Sequence, residues 1–489
     1  MRDTQELPTI VIGAGLSGLA AALSLARRGR PATILEAQNA TGGCCSTSTS
    51  DGYTFNNGAV YVAVPSLLRA SFRRLGLGFD DEVELAPIAR PHTTQLDDGT
   101  TVHLSTAQAS HVEGAGQGQK TQKLRDGLGK LRDQWGPIYR TLVSDVLPQE
   151  PSLVRTLGKL WKHLPRMGGA VDRLIASYFP DEDLRAAVAS TLLYTGLPPD
   201  RLPSTQIIGL VALLEEGFHL PRGGMGAISA ALERELRNQS VPVRLGSTVR
   251  EIAVENGQVC GVVLSDGERI PTTRVIATCS GLDVVRNLLQ PHATPRGLAK
   301  KADAAPLSHR AVSIQIGYSG TPASDSFVVN YVPPMDGQGA MHVLTPEVPR
   351  WFAYTQPTQV LPELAPANRN IIELYAPATG MHSASEWSGE LTDAVVGNYL
   401  EALKKRVPDI TIETTRVIDP RDFALERHLY EGALYGIAPG ASPNTFLPHR
   451  TQIRGLYLGG QTTFPGYGVP SAILSGIQSA EALLDDMAR

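Results

Sequence analysis

The first periodic signal along the chain is a short apolar run, Thr9-Ile10-Val11-Ile12, which predicts a buried strand. From Leu16 to Arg28 the apolar residues recur at helical spacing until Gly29 stops them. A second run, Ala32 to Leu35, is closed by Glu36, so residues 9–36 read as a β-α-β unit. Residues 93–104 alternate as a hairpin turning at Asp98-Gly99, and the polar, Gly/Gln-rich stretch 105–123 reads as a loop or a poorly ordered tip. From about 124 to 215 the pattern is mainly helical, with breaks at Pro165 and at Gly196-Leu197-Pro198-Pro199. Gly217 to Gly226 opens a helix with Ile228, Ala231, Leu232 and Leu236 on one face. Short strands follow at Val241–Leu245, Val249–Ile252, Val259–Leu264 and Arg274–Ala277, with turns at Asn256-Gly257 and Asp266-Gly267. Residues 281–420 alternate strands and helices, and the end of the chain is a strand, Ile453–Leu458, then glycines, then a helix from Ser471 to Met487.

Chemistry enters with the glycines. Gly13, Gly15 and Gly18 make G-x-G-x-x-G between the first strand and its helix. They permit a tight turn and close backbone approach to a pyrophosphate, which sits on the helix N-terminus at Leu16 and Ser17. Glu36 falls where a carboxylate hydrogen-bonds both hydroxyls of an adenosine ribose. It would repel a phosphorylated ribose, so the expected dinucleotide is not NADP.

The next segment separates NAD from FAD. Gly42-Gly43 and then Asp51-Gly52-Tyr53-Thr54-Phe55-Asn56-Asn57-Gly58-Ala59 stand where an NAD domain continues into another β-α unit. With G-x-G-x-x-G, the acid and the paired glycines, this resembles the FAD-dependent amine oxidase and phytoene desaturase superfamily. Asn56 stands where that pattern usually has Asp. Pro221-Arg222-Gly223-Gly224-Met225-Gly226, a helix and then Val249 are similar to the family's return to its cofactor domain. The C-terminal Leu456-Tyr457-Leu458-Gly459-Gly460-Gln461-Thr462 and Gly466-Tyr467-Gly468-Val469-Pro470 resemble the phytoene desaturase and carotenoid isomerase ending. Gly432 to Gly436 and Pro420 to Arg427 resemble the segments before it, with one extra residue ahead of the acid.

The resemblance implies a Rossmann-like α/β FAD domain of glutathione-reductase type with an inserted α+β substrate domain. Its segments would be 1–90, 216–285 and 426–489 for FAD, and 91–215 and 286–425 for substrate. It implies FAD contacts, without covalent attachment, at Gly13, Gly15, Leu16, Ser17, Gly18, Glu36, Gly43, Cys44, Gly58, Ala59, Val249, Gly460, Gln461, Gly468 and Val469. In the family the valine at 249 meets the adenine through its backbone, and Gln461 stands where relatives carry an acid or small residue near the ribityl chain. The dipole of the last helix aims its positive end at the reduced ring. The activity implied is oxidation or desaturation of a carotenoid-like, polyene or isoprenoid substrate. Amine oxidation and redox-neutral polyene isomerisation stay open. No acid or base is assigned, because the cofactor carries the hard chemistry; His219, Arg222, His428, Tyr430, Tyr435 and Tyr467 are the polar and aromatic residues nearest the motifs.

Composition narrows the rest. The chain has 489 residues, 42% hydrophobic and 19% charged, with net charge −4: a soluble composition large enough for two or three domains, and no polyanion or nucleic-acid partner. The absence of a leader pattern and of a long apolar span (Ile207–Leu214 is the longest aliphatic stretch) points to the cytoplasm. Leu153 to Arg173 pairs apolar helical spacing with Arg155, Lys159, Lys162 and Arg166. It fits either a membrane-surface helix admitting a lipophilic substrate or an ordinary helix with a solvated basic face. The four cysteines make no disulfide framework; Cys44 and Cys45 read as packing beside the cofactor, Cys260 and Cys279 as buried strand residues. No Cys/His group has metal-ligand spacing, and the sequence leaves the oligomeric state unassigned.

Overall fold

A computed structural model describes residues 7–150, 152–332, 351–378, 383–441 and 443–489. Three distant stretches of chain build one parallel sheet. Its central strand Thr9–Ile12 lies between Ala32–Leu35 and Val275–Ala277, with Val243–Arg244 and Leu456–Leu458 outside them. All four residues of the central strand are buried, as strands covered on both faces must be. The helix Leu16–Ala26 packs against the last helix, Val469–Ala488. Their approach is close: a Cβ on Gly476 would lie 2.0 Å from the Ser17 carbonyl oxygen.

The second layer is an eight-stranded sheet. Its antiparallel core pairs Arg310–Gly320 with Asn370–Ala378 and Ile410–Ile418. The hairpin His92–Leu96 and Thr101–Leu104 joins it through the parallel partner Val328–Val332, and His111–Glu113 forms its outer edge. Helix Gly389–Arg406 covers one face, burying Val395, Tyr399 and Leu403 against Ile314, Phe352 and Leu374.

Four sequence expectations are corrected. The 105–123 stretch is not a loop throughout: it holds the strand His111–Glu113, and a helix begins at Gln117 and runs to Thr141. Leu124, Leu128, Leu131, Trp135 and Ile138 give that helix its buried stripe. Its Gly127 is needed for packing, since a Cβ there would lie 2.4 Å from the Phe179 ring. The basic stretch 153–173 is not one helix but Leu153–Leu160, a 3-10 turn at Leu164–Arg166, and Val171–Tyr178, broken by Pro165 and the Gly168-Gly169 pair. Cys260 is exposed rather than buried; its strand faces solvent at that position. The strands expected at 241–245 and 453–458 shorten to Val243–Arg244 and Leu456–Leu458.

Candidate cofactor and substrate cleft

The three glycine segments converge on one cleft at the C-terminal ends of the parallel strands. Gly13 turns the chain at φ 97°, and its N–H donates to the Leu35 carbonyl at 2.8 Å. A Cβ on Gly15 would meet nothing within 4 Å, so the helix start faces open space. Gly18 does not line the cleft. A Cβ there would lie 1.9 Å from the Gly13 carbonyl oxygen, so its lack of a side chain lets helix and strand close up beneath the loop. The other fourteen residues singled out by the sequence, from Gly13 to Val469, all line the cleft.

Glu36 is 8% exposed, and its position is fixed by two backbone donors: Ala14 N–H at 2.6 Å and Gln38 N–H at 2.8 Å. Each carboxylate oxygen keeps acceptor capacity for a ribose hydroxyl. Six polar atoms on cleft-lining residues are buried without a protein partner: Ser17 Oγ, Tyr194 Oη, Ser280 Oγ, Arg427 Nε, His428 Nε2 and Gln461 Nε2. The last helix is capped by Gly468 at φ 104°, with Pro470 in its first turn, and its N-terminal residues Gly468, Val469 and Ala472 face the cleft. An open glycine cradle, an oriented acid, unpaired donors and a helix N-terminus fit a bound dinucleotide.

Beyond the glycine loops the cleft opens onto the large sheet. Ala311, Ser313, Thr355, Glu373 and Tyr375 contribute from its strands, with Phe423, Leu434 and Tyr435 opposite. The Tyr435 and Tyr467 rings lie 4.5 Å apart at 30°. Tyr435 Oη donates to the Tyr194 carbonyl at 2.9 Å, and Tyr375 Oη meets His309 Nε2. Burial pushes His309 down to about 4, so it is neutral at physiological pH. Burial pushes Glu373 up to about 7, against hydrogen bonds from Asn56 N–H (2.7 Å), Asn56 Nδ2 and Thr355 Oγ1. Asn56 Oδ1 in turn accepts from Met225 N–H at 2.9 Å, so this residue joins three segments.

Among the earlier candidates, His428, Tyr435 and Tyr467 line the cleft, and His428 is held at φ 50°. Arg222 is instead paired at the surface with Glu84 and Glu363, Tyr430 lies under Arg286, and His219 pairs with Val62 through its backbone. Cys44 and Cys279 line the cleft as free thiols, both pushed up chiefly by burial. Sequence reasoning missed Glu373, Tyr375 and Tyr194. The signal for Glu373 was a lone acid inside the apolar run Asn370–Ala378.

Comparison with known proteins agrees with this geometry. The model of the flavin containing amine oxidoreductases matches residues 16–484, and the chain belongs to that family. It is an FAD-dependent oxidoreductase. A 4,4'-diapophytoene desaturase of Staphylococcus haemolyticus is 27% identical over 98% of this chain and 98% of its own length. A zeta-carotene-forming phytoene desaturase of Myxococcus xanthus is 26% identical, covering 99% of this chain and 95% of the relative. Among solved structures, an oxidoreductase from Methanosarcina mazei superposes with TM-score 0.65 at 18% identity, covering 97% of this chain and all of that one. Putrescine oxidase with putrescine bound gives 0.63 at 16% identity, with 99% of each chain covered. These two show the shared fold.

Proposed function

We propose that the chain desaturates or otherwise oxidises an elongated carotenoid-like, polyene or isoprenoid substrate. The observation that carries this reading is end-to-end similarity to carotenoid desaturases, joined to a cleft whose far side is largely aliphatic and aromatic. FAD, held without a covalent bond, supplies the two-electron acceptor. In this reading Gly13, Gly15, Leu16 and Ser17 take the pyrophosphate, and Glu36 and Val249 the adenosine. Gly43, Cys44, Gly58, Ala59, Gly460, Gln461, Gly468 and Val469 take the ribityl chain and ring. Leu374, Phe423, Leu434 and the tyrosines orient the substrate and exclude water, with burial contributing about 25 cal/mol per Å² of apolar surface. Substrate and FAD units divide along the two sheets.

The route from a membrane is supported by the segment after Ser152. Of the seven large apolar side chains left exposed among the described residues, Val154, Leu157, Trp161 and Leu164 all fall here. Arg155 and Lys162 lie among them, and Lys162 sits 5.5 Å from the Trp161 ring centre. Such a patch suits a lipid surface. Among the described residues no helix is long and apolar enough to cross a bilayer.

A second reading, amine oxidation, is favoured by Tyr194, Tyr375, Tyr435 and Tyr467 around the cleft. An anaerobic titration decides between them. Liposome-borne polyenes should bleach the flavin band, and soluble amines should not. Bleaching by a small amine with no response to any polyene would overturn the desaturase reading. Acid precipitation of the protein should leave the yellow colour in the supernatant.

A further inference from the structure

The outer edge of the large sheet carries a cluster that the cleft does not use. His103, on the strand Thr101–Leu104, and His111, on the edge strand His111–Glu113, are direct cross-strand partners. Glu113, two residues beyond His111, stands on the same face. The two imidazoles stack with centroids 4.4 Å apart and 15° between their planes. Glu113 Oε1 lies 3.4 Å from His103 Nε2 and 3.6 Å from His111 Nε2. One donor atom from each of the three lies within 4.8 Å of the other two.

The ring tautomers sharpen the picture. His111 Nδ1 is 3.2 Å from the Ala109 carbonyl oxygen. A carbonyl only accepts, so Nδ1 carries the proton, and the neutral ring has its lone pair on Nε2. His103 Nδ1 is 2.9 Å from Thr93 Oγ1, which is bonded in turn to Ser326 Oγ. With Nδ1 donating to Thr93, His103 Nε2 also presents a lone pair; that atom is buried with no hydrogen-bond partner of adequate geometry. Two nitrogen lone pairs and a carboxylate then face one another, an arrangement that a cation between them resolves. Among the described residues Glu113 pairs with no lysine or arginine. Arg90 also acts on His103 and is itself paired with Asp325.

We propose that His103, His111 and Glu113 form a binding site for a divalent transition-metal ion of the zinc type, separate from the cofactor cleft. Two imidazoles and one carboxylate are a donor set suited to such an ion, with water as fourth ligand. Tetrahedral bonds of 2.0–2.1 Å put ligand atoms about 3.3 Å apart, close to both nitrogen–oxygen separations here. Closing the site requires the imidazoles to turn out of their stack so that the two Nε2 atoms converge. The His111 side chain, 43% exposed, has room to do so. Thr93 and Ala109 act as the outer partners that fix each ring. The ion would clip the last two strands of the sheet together across its open edge. The spacing of the three residues along the chain gives no sign of this, because the site exists only once the strands pair.

The test uses tag-free, FAD-loaded protein carrying Cys260→Ser, which removes an exposed thiol. After chelator treatment and dialysis it is titrated calorimetrically with zinc sulfate, and bound metal is counted by elemental analysis. The expected result is one zinc ion per chain, weakened at least tenfold by His111→Ala and by Glu113→Gln. A zinc-dependent rise in unfolding temperature should vanish in both variants. FAD content reports that the variants, changed at solvent-facing positions, remain folded. No zinc retained by the parent, or equal retention by parent and variants, would overturn the site; a cluster sharing only a proton gives the first of these.

Discussion

Glu373 is a carboxyl in the cleft whose surroundings take it well away from its ordinary chemistry. Desolvation raises its carboxyl from 4.5 to about 7, and the hydrogen bonds from Asn56 and Thr355 only partly offset this. A raised carboxyl pKa means that the folded state holds the proton more tightly than the unfolded chain. The resulting stabilisation is complete below pH 4.5 and is lost as pH rises to 7. At about 1.36 kcal/mol per unit the change is roughly 3 kcal/mol. Glu373→Gln should therefore gain in unfolding temperature relative to the parent between pH 4.5 and 7, with a constant difference above pH 7. Thermal unfolding followed by flavin fluorescence measures this; a difference that stays flat through that interval would mean the carboxyl titrates normally. The acid was readable in the sequence only as an oddity in an apolar strand. Its partner Asn56 lies 317 positions away, and no local pattern links them.

At the scale of elements, local pattern succeeded where backbone chemistry is local. The β-α-β unit at the start, the hairpin turning at Asp98-Gly99 and the final helix follow from short-range periodicity and turn residues. It failed at residues 117–123, the first turns of the helix that runs on to Thr141, where glycines and glutamines looked like a loop. Burial of Leu124, Leu128, Leu131 and Trp135 outweighs a glycine cost of about 1 kcal/mol per residue. At 153–173 the break expected at Pro165 is present, and with Gly168-Gly169 it leaves short pieces where the apolar spacing also fits one amphipathic helix. In this segment Val154, Leu157, Trp161 and Leu164 are left uncovered. Replacing Leu157 and Trp161 together with serine should reduce sedimentation with anionic liposomes at least tenfold. FAD content and flavin reduction in detergent should be unchanged. Undiminished liposome binding by this variant would show that lipid docks elsewhere.

For the whole molecule, the cofactor is expected to act as a folding ligand, because its cleft is built from residues as distant as Gly13 and Val469. A ligand bound only to the folded state stabilises it by about 2.7 kcal/mol at a hundredfold excess over its dissociation constant. Unfolding temperature should accordingly rise with added FAD. Glu36→Ala should shift that dependence to higher FAD concentration by one to two orders of magnitude, since charge-assisted hydrogen bonds are worth roughly 1.5–3 kcal/mol. An identical FAD dependence in both proteins would remove Glu36 from the ribose site. By itself the sequence determined the glycine turn, the acid after the second strand, the C-terminal glycine motif and hence the flavin class, because each depends on backbone geometry within a few residues. Only the tertiary structure decided what stands across from those motifs. Glu373 and the four tyrosines reach the cleft from strands and turns far apart in sequence, and His103, His111 and Glu113 meet through strand pairing. Such neighbours are set by packing and register, which no local spacing encodes.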